Sequence, residues 1–248
     1  MPRTNDTNLL QALRQLKAEG QKTGIYHKIQ VDMTAHSFRL DGSNISHRQV
    51  RRIFETDKVT AGRPVTVDDI IETVNHFECI DYVIDHAEEP LTREYICDLH
   101  SILKAGTSLS RKHPDDVGEY RTVPVAIKDI NACDPRDVPD EMRAIFIEYY
   151  ATKQKTFDDI LDFHLKFERV QPFIEGSGRI GRLILLKECL ANDIVPFIFT
   201  DRLKRLYYRS MQQWEQVSQN LSQSAANAQK QMQAALDRFR IRYQNPKK

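Results

Sequence analysis

Cysteine is scarce in this chain: four occur in 248 residues. No two of them stand in a CxxC spacing, which excludes a recognisable zinc ribbon or redox pair. Cys79, Cys97, Cys133 and Cys189 read as free thiols of a reducing compartment, so a cytoplasmic protein is expected. An excess of one charge is also missing. Lys and Arg number 36 against 35 Asp and Glu, for a formal net charge of +1. With the two signs interspersed, the chain lacks the basic footprint of a nucleic-acid binder. No apolar run approaches the ~20 residues that a membrane-spanning helix needs, and no membrane partner is expected. The first residues, MPRTNDTNLLQALRQLKAEG, are too polar for a signal peptide. Internal repeats and low-complexity linkers are absent, and the length suits one large domain with a real core.

What is present is mostly helical periodicity. Helices are expected over 6–19, 26–40 (stopped by Asp41-Gly42), 46–54 from a Ser46 cap, 66–84 from a Thr66/Asp69 capping box, and 92–103. After the turn-rich residues 106–117, the stretch YRTVPVAIKDI (120–130) has β-branched residues in alternation and predicts a short edge hairpin, since Pro124 bars a central strand. Further helices are expected at 140–153, 157–170, 179–192, 200–217 and 221–243. In the last, Leu221, Ala225, Ala228, Met232, Ala235 and Phe239 form a seam that would pack on its own domain, or alternatively join a second copy in a homo-oligomer.

The most informative stretch is QPFIEGSGRIGR, residues 171–182. Phe173 is the apolar anchor of the loop. Gly176 and Gly178 let the main chain turn and let a ligand approach it. The helix that follows presents unpaired N–H groups and a positive dipole end, a ready seat for an anion. Arg179 and Arg182 share a face of its first turn, and two guanidinium forks suit a polyphosphate. Glu175 supplies a hard oxygen of the kind magnesium takes when it also binds phosphates.

This stretch resembles the signature of the Fic family, HxFx(D/E)GNGRxxR, through Phe173, Glu175, Gly176, Gly178, Arg179 and Arg182. The departures are Gln171 for histidine and Ser177 for asparagine. GEYRTVPVAI (118–127) is similar to the family's G-x-[YF]-R segment and flap, and SFRLDGSNIS (37–46) to its amino-terminal stretch SxxIEGNxLT. His100, His164 and Tyr207-Tyr208 fall where family members often carry such residues. The resemblance implies an all-α Fido fold with a short β-hairpin flap. It would comprise an N-terminal helical region with an inhibitory-type helix (1–60), a Fic core (61–217) and a C-terminal helix (218–248). It implies transfer of AMP from ATP, with Mg2+, to a hydroxyl of a target protein. The loop (Gly176, Ser177, Gly178, Arg179, Arg182) would hold the nucleotide and Glu175 the metal. Val123, Val125, Ala126 and Ile127 of the flap would align the target by strand addition.

Two departures bear on that activity. At the position of the family's base, Gln171 can accept a hydrogen bond but cannot take up a proton at neutral pH. His164, seven residues back and on the apolar face, reads as a buried structural residue, and nothing in the sequence places His113. Ser177 would offer the phosphates one hydrogen bond with less reach than an amide. In the family an (S/T)xxxE(G/N) helix blocks the site through an acid on the second motif arginine. Here the segment is Ser37…Asp41-Gly42, one methylene shorter, which predicts a weakened contact with Arg182, strained or bridged by water. The implied function is an impaired Fic-type adenylyltransferase. A nucleotide- or protein-binding pseudoenzyme is the alternative, and a Doc-type phosphotransferase is a weaker one.

Overall fold

Short polar side chains start most of the helices. Asn8, Ser46, Thr66 and Thr156 each accept from the backbone three residues on, and the residue there bonds back to the cap. The computed structural model describes residues 7–125, 132–205, 207 and 214–243, with side chains from 223 onward in the last segment. The helices are α1 (Leu9–Ala18), α2 (Gly24–Lys28), α3 (Thr34–Leu40), α4 (His47–Thr56), α5 (Val67–Asp85) and α6 (Arg93–Lys104). Then come α7 (Ser108–Lys112), α8 (Val138–Ala151), α9 (Phe157–Val170), α10 (Ser177–Ala191) and α11 (Trp214–Phe239). Among the described residues the one β pairing is an isolated bridge between Asn8 and Arg242. The expected all-α class holds.

Several boundaries differ from the sequence expectation. The helix expected over 26–40 is α2 and α3 joined through a π-helical turn, Ile29–Met33. It stops where Gly42 takes φ +99° and Ser43 N–H returns to the Phe38 carbonyl at 3.0 Å. The helix expected from Arg179 begins two residues earlier, because Gly176 at φ +88° already serves as its cap. One helix, α11, runs through the break expected between 217 and 221. Its buried seam is Ala225, Ala228, Met232 and Leu236, while Phe239 is exposed; it packs on its own chain. No strand forms over Tyr120–Val125. The rest of the predicted hairpin, including Ala126 and Ile127, lies outside the described residues.

Helix α10 is the axis of the fold. Twelve of its fifteen residues are buried, as expected of a helix covered on all sides. It packs against α9, α5, α3, α6 and α1. One apolar core runs from Leu13 and Ile29 through Ile80 and Leu99 to Ile184 and Met232, so the N-terminal helices and α11 share it with the central ones. The four cysteines are free thiols. No helix among the described residues is long and apolar enough to cross a membrane.

The contact between α9 and α10 is close because Gly181 has no side chain. A Cβ there would lie 2.9 Å from Glu168 Oε1 and 3.1 Å from Phe167 Cδ1. Glu168 is buried, and its Oε1 accepts from the Tyr207 hydroxyl at 2.9 Å. Burial pushes its carboxyl up to about 7, against the pull of Arg182. Gly181→Ala is expected to lower stability, because overpacking costs about 1–3 kcal/mol against the ~1 kcal/mol gained in helix propensity; urea unfolding at pH 7 checks this. Glu168 also predicts a pH dependence. Below the ordinary glutamate pKa, folded and unfolded states both hold the proton. As pH rises toward 7 the unfolded state ionises first, so the stability this group contributes at low pH is lost through that window. Relative to Glu168→Gln, the unmodified protein should lose about 2 kcal/mol or more between pH 5 and pH 8. A difference in unfolding free energy that stays constant across those pH values would contradict the assignment.

Candidate active site

The loop between α9 and α10 is held from three sides. Gln171 ends α9 in the left-handed region at φ +50°, with its N–H on the Phe167 carbonyl at 3.1 Å. The preceding-proline constraint thus acts where the sequence places it. Phe173 is buried and stacks on His100, centroids 3.9 Å apart. Gly118 N–H donates to His100 Nδ1 at 2.9 Å, so Nε2 carries the proton and donates to the Glu175 carbonyl at 3.0 Å. Burial lowers the His100 pKa to about 3, which keeps it neutral. Arg121, fully buried, is the third support. Its guanidinium donates to the carbonyls of Gln171 (2.7 Å), Cys133 (2.7 Å), Val123 (3.1 Å) and Val170 (3.2 Å).

Two motif positions face differently from what the sequence implies. The Ser177 hydroxyl does not point toward a phosphate. It is buried, accepts from Phe173 N–H at 3.0 Å and donates to the Phe173 carbonyl at 3.3 Å, closing the loop on itself. The Gln171 amide is buried, and its Nε2 donates to the Glu168 carbonyl (2.6 Å) and to Glu168 Oε2 (3.1 Å). Both N–H groups are used, so the amide oxygen is the group left for a ligand, and it can only accept.

The seat at the start of α10 already holds an anion, and it belongs to the chain. A Cβ on Gly178 would lie 3.0 Å from Asp41 Oδ1 and 3.1 Å from Arg182 Nη1, so a side chain there would press on that carboxylate over the first turn. Asp41 Oδ1 accepts from Arg182 Nη2 at 2.5 Å, and Oδ2 lies 3.2 Å from Arg179 Nε. Ser37 completes the clasp: its hydroxyl accepts from Arg182 Nε at 2.8 Å and its carbonyl from Nη2 at 3.1 Å. The contact is therefore direct, where the shorter side chain led us to expect strain or a bridging water. The chain reaches because Gly42 ends α3 at this point and carries Asp41 over the loop. Burial works against the charge on Arg182, but Asp41, Tyr207 and Glu168 outweigh it and hold its pKa above the ordinary value. For Arg179 burial wins, and its pKa is lowered.

Sequence reasoning missed four charged residues around this seat. Glu72 is buried and forms an ion pair with Arg179 Nη1. Lys104 is buried and bonds both Glu72 (2.7 Å) and Glu175 (2.9 Å). Arg121 and Glu168 are the others. A signal existed for three of them: Glu72 shares a helical face with buried His76 and Cys79, Lys104 with His100, and Glu168 with His164. His164 is the buried structural residue expected, its Nε2 on the Tyr207 hydroxyl at 2.8 Å and its pKa lowered to about 3 by burial. His113 is exposed at the end of α7. Val123 is exposed and Val125 half-buried.

As placed, Glu175 does not fit an open magnesium site. Oε2 of its carboxylate is bonded to the Lys104 ammonium, and the described residues contain no group of three or more His, Cys, Asp or Glu able to hold a metal. A polyphosphate fits better: the stand-in anion, the glycine cradle and both arginines converge on one helix start.

This chain is similar to known proteins in both sequence and structure. The family model described as Fic/DOC family matches residues 90–189. The chain is similar to "Protein adenylyltransferase Fic" of Nematostella vectensis, 24% identical over 185 residues, covering 72% of this chain and 42% of that protein. It is also similar to "Protein adenylyltransferase fic-1" of Caenorhabditis elegans, 23% identical over 207 residues, covering 81% and 38%. The chain thus spans about two fifths of the length of these curated relatives. Among solved structures, a Fic domain containing signaling protein from Bacteroides thetaiotaomicron superposes with a TM-score of 0.66 at 16% identity, covering 93% of this chain and 91% of that one. Fic-1 of C. elegans gives 0.65 at 18%, covering 92% and 70%. Family model, relatives and fold agree with the motif in the loop: residues 90–189 of this chain match the Fic/DOC family.

Proposed function

We propose that the protein binds ATP at the start of α10 and transfers AMP to a hydroxyl of a target protein, at a rate held down in two ways. In this reaction the hydroxyl oxygen attacks the α-phosphorus, the bond to the bridging oxygen breaks, and pyrophosphate leaves. The observation that carries the reading is the Asp41 carboxylate over Gly178, bonded to Arg182 and within ion-pair distance of Arg179. An acid in that position marks an anion seat and fills it. Phosphate oxygens would replace it on the same guanidinium groups and on the first N–H groups of α10.

The second limit is chemical. The Gln171 oxygen can accept a hydrogen bond from the attacking hydroxyl and orient it, but an amide does not carry the proton away. General-base catalysis is commonly worth about a hundred- to ten-thousandfold, so positioning and phosphate electrostatics would leave a slow transfer. Neither His100 nor His164 replaces the base, since both are buried and neutral. The competing reading, a nucleotide-binding protein that transfers nothing, is favoured by this same amide.

Two outcomes are expected. Asp41→Ala should raise ATP affinity at least several-fold in calorimetry, because it removes the competing anion; equal affinities for the two proteins would mean that Asp41 is only the end of α3. Gln171→His should raise AMP transfer, read as labelling of itself or of lysate proteins, by about a hundredfold or more. The backbone there, at φ +50°, admits histidine as readily as glutamine, so the fold should tolerate the change. If the histidine variant binds ATP and labels nothing, the transferase reading falls and the binding-protein reading stands.

A further inference from the structure

Glu175 is the acidic residue of the loop, and its partner is unusual. Its side chain is 59% exposed, whereas that of Lys104 is fully buried. An exposed carboxylate is not drawn to a buried ammonium by packing, so the charge of Lys104 is what turns Glu175 inward. Lys104 in turn cannot follow Glu175 outward. Its Nζ is fixed on Glu72 Oε1 at 2.7 Å, and the other oxygen of Glu72 is paired with Arg179. Its Cε lies 3.3 Å from where a Cβ on Gly176 would stand, so the cation sits directly beneath the turn that opens α10.

We infer that Lys104 is the resident cation of this site: it occupies Glu175 in place of a divalent ion and supplies fixed positive charge beneath the phosphate seat. Three features of the arrangement support this. The ammonium is held from two sides, so it is preorganised. It is excluded from water, which strengthens its field at the loop. A divalent ion on either oxygen of Glu175 would lie beside a like charge that cannot move away, and the described residues offer it no cluster of further protein ligands. Magnesium ordinarily binds through one or two carboxylates plus phosphates and keeps its other waters; here the single carboxylate is already taken. Nucleotide would accordingly bind with little dependence on magnesium. That last statement rests on the nucleotide reading above, while the occupancy of Glu175 does not.

The test therefore begins without nucleotide. Mn2+ alone is titrated, and free ion is followed by electron paramagnetic resonance. The unmodified protein and Glu175→Gln should bind Mn2+ alike. Lys104→Met, checked for helicity by circular dichroism, should gain a site at least tenfold tighter, and Lys104→Met with Glu175→Gln should lose it again. A Mn2+ site in the unmodified protein that Glu175→Gln abolishes would overturn the inference. So would a folded Lys104→Met variant that gains nothing. Should Lys104→Met fail to fold, the comparison of the unmodified protein with Glu175→Gln still decides, because that exposed side chain can be changed without opening the core. A second titration measures ATP affinity with magnesium and with a chelator. A ratio below threefold in the unmodified protein supports the inference, and a ratio above tenfold that Glu175→Gln removes overturns it. Absence of ATP binding in both solutions counts against the nucleotide reading alone, and the Mn2+ result then stands by itself.

Discussion

The ion pair between Asp41 and Arg182 is the contact around which the site is arranged. It joins the end of α3 to the first turn of α10 and places a carboxylate over Gly178. Four features depend on it. α3 must stop at Asp41, which Gly42 accomplishes at φ +99°. Gly178 lets the carboxylate approach the helix start closely. Ser37 must lie one turn back to accept from Nε and Nη2 of the guanidinium. Arg182 must be held in a buried position where burial alone would disfavour its charge. Arg182 is buried while the Asp41 side chain is 23% exposed, and such a pair contributes little net stability compared with apolar packing. Its value here is positional, because it fixes the end of α3 over the first turn of α10.

The charges extend outward from that pair in two directions. Through Arg179 and Glu72 they reach Lys104 and Glu175. Through Tyr207 they reach Glu168 and the Gln171 amide. Three cations (Arg179, Arg182, Lys104) face three acids (Asp41, Glu72, Glu175), and Glu168 is a fourth acid in the same buried region. Burial first, and then the charge of Asp41 against the pull of Arg182, pushes the Glu168 carboxyl up to about 7. The charged side chains of the motif, Glu175, Arg179 and Arg182, each have a partner from outside it.

Much of this was legible in the sequence, for identifiable reasons. Caps and stops are local chemistry, so Thr66 with Asp69, Ser46, and Asp41-Gly42 announced themselves. The phosphate seat was legible because its ingredients are contiguous in residues 175–182. Long-range partners were not, since Glu72, Lys104 and Arg121 lie 50 or more residues from what they touch in the loop. A charged residue on an apolar helical face was the one local hint, and it names no partner. Ser177 was misread because a hydroxyl in a glycine turn serves a ligand or its own backbone equally well; here Phe173 N–H and carbonyl are both within reach. The expected break before α11 failed for a simpler reason. Polar, helix-forming residues such as Ser218, Gln219 and Asn220 weaken a helix without ending it, and neither Gly nor Pro is present there to do so.

Occupancy of the seat and the state of Gln171 are physically linked through Glu168. The Asp41 carboxylate is among the influences that raise the Glu168 pKa, while the Tyr207 and Gln171 hydrogen bonds lower it. An anion over Gly178 therefore favours the protonated form of Glu168, whichever anion it is. The ionised form accepts best from the Gln171 amide and so turns the amide oxygen toward the open side of the loop. A protonated Glu168 gives up part of that hold. The orientation of the Gln171 amide is thus sensitive to the charge sitting on the arginines next door. A histidine at 171 would feel the same influence in a different way, because an imidazole beside an ionised Glu168 is a stronger base than one beside a neutral acid. Gln171, by a hydrogen bond, and Asp41, by its charge, thus both act on a single buried carboxylate, that of Glu168.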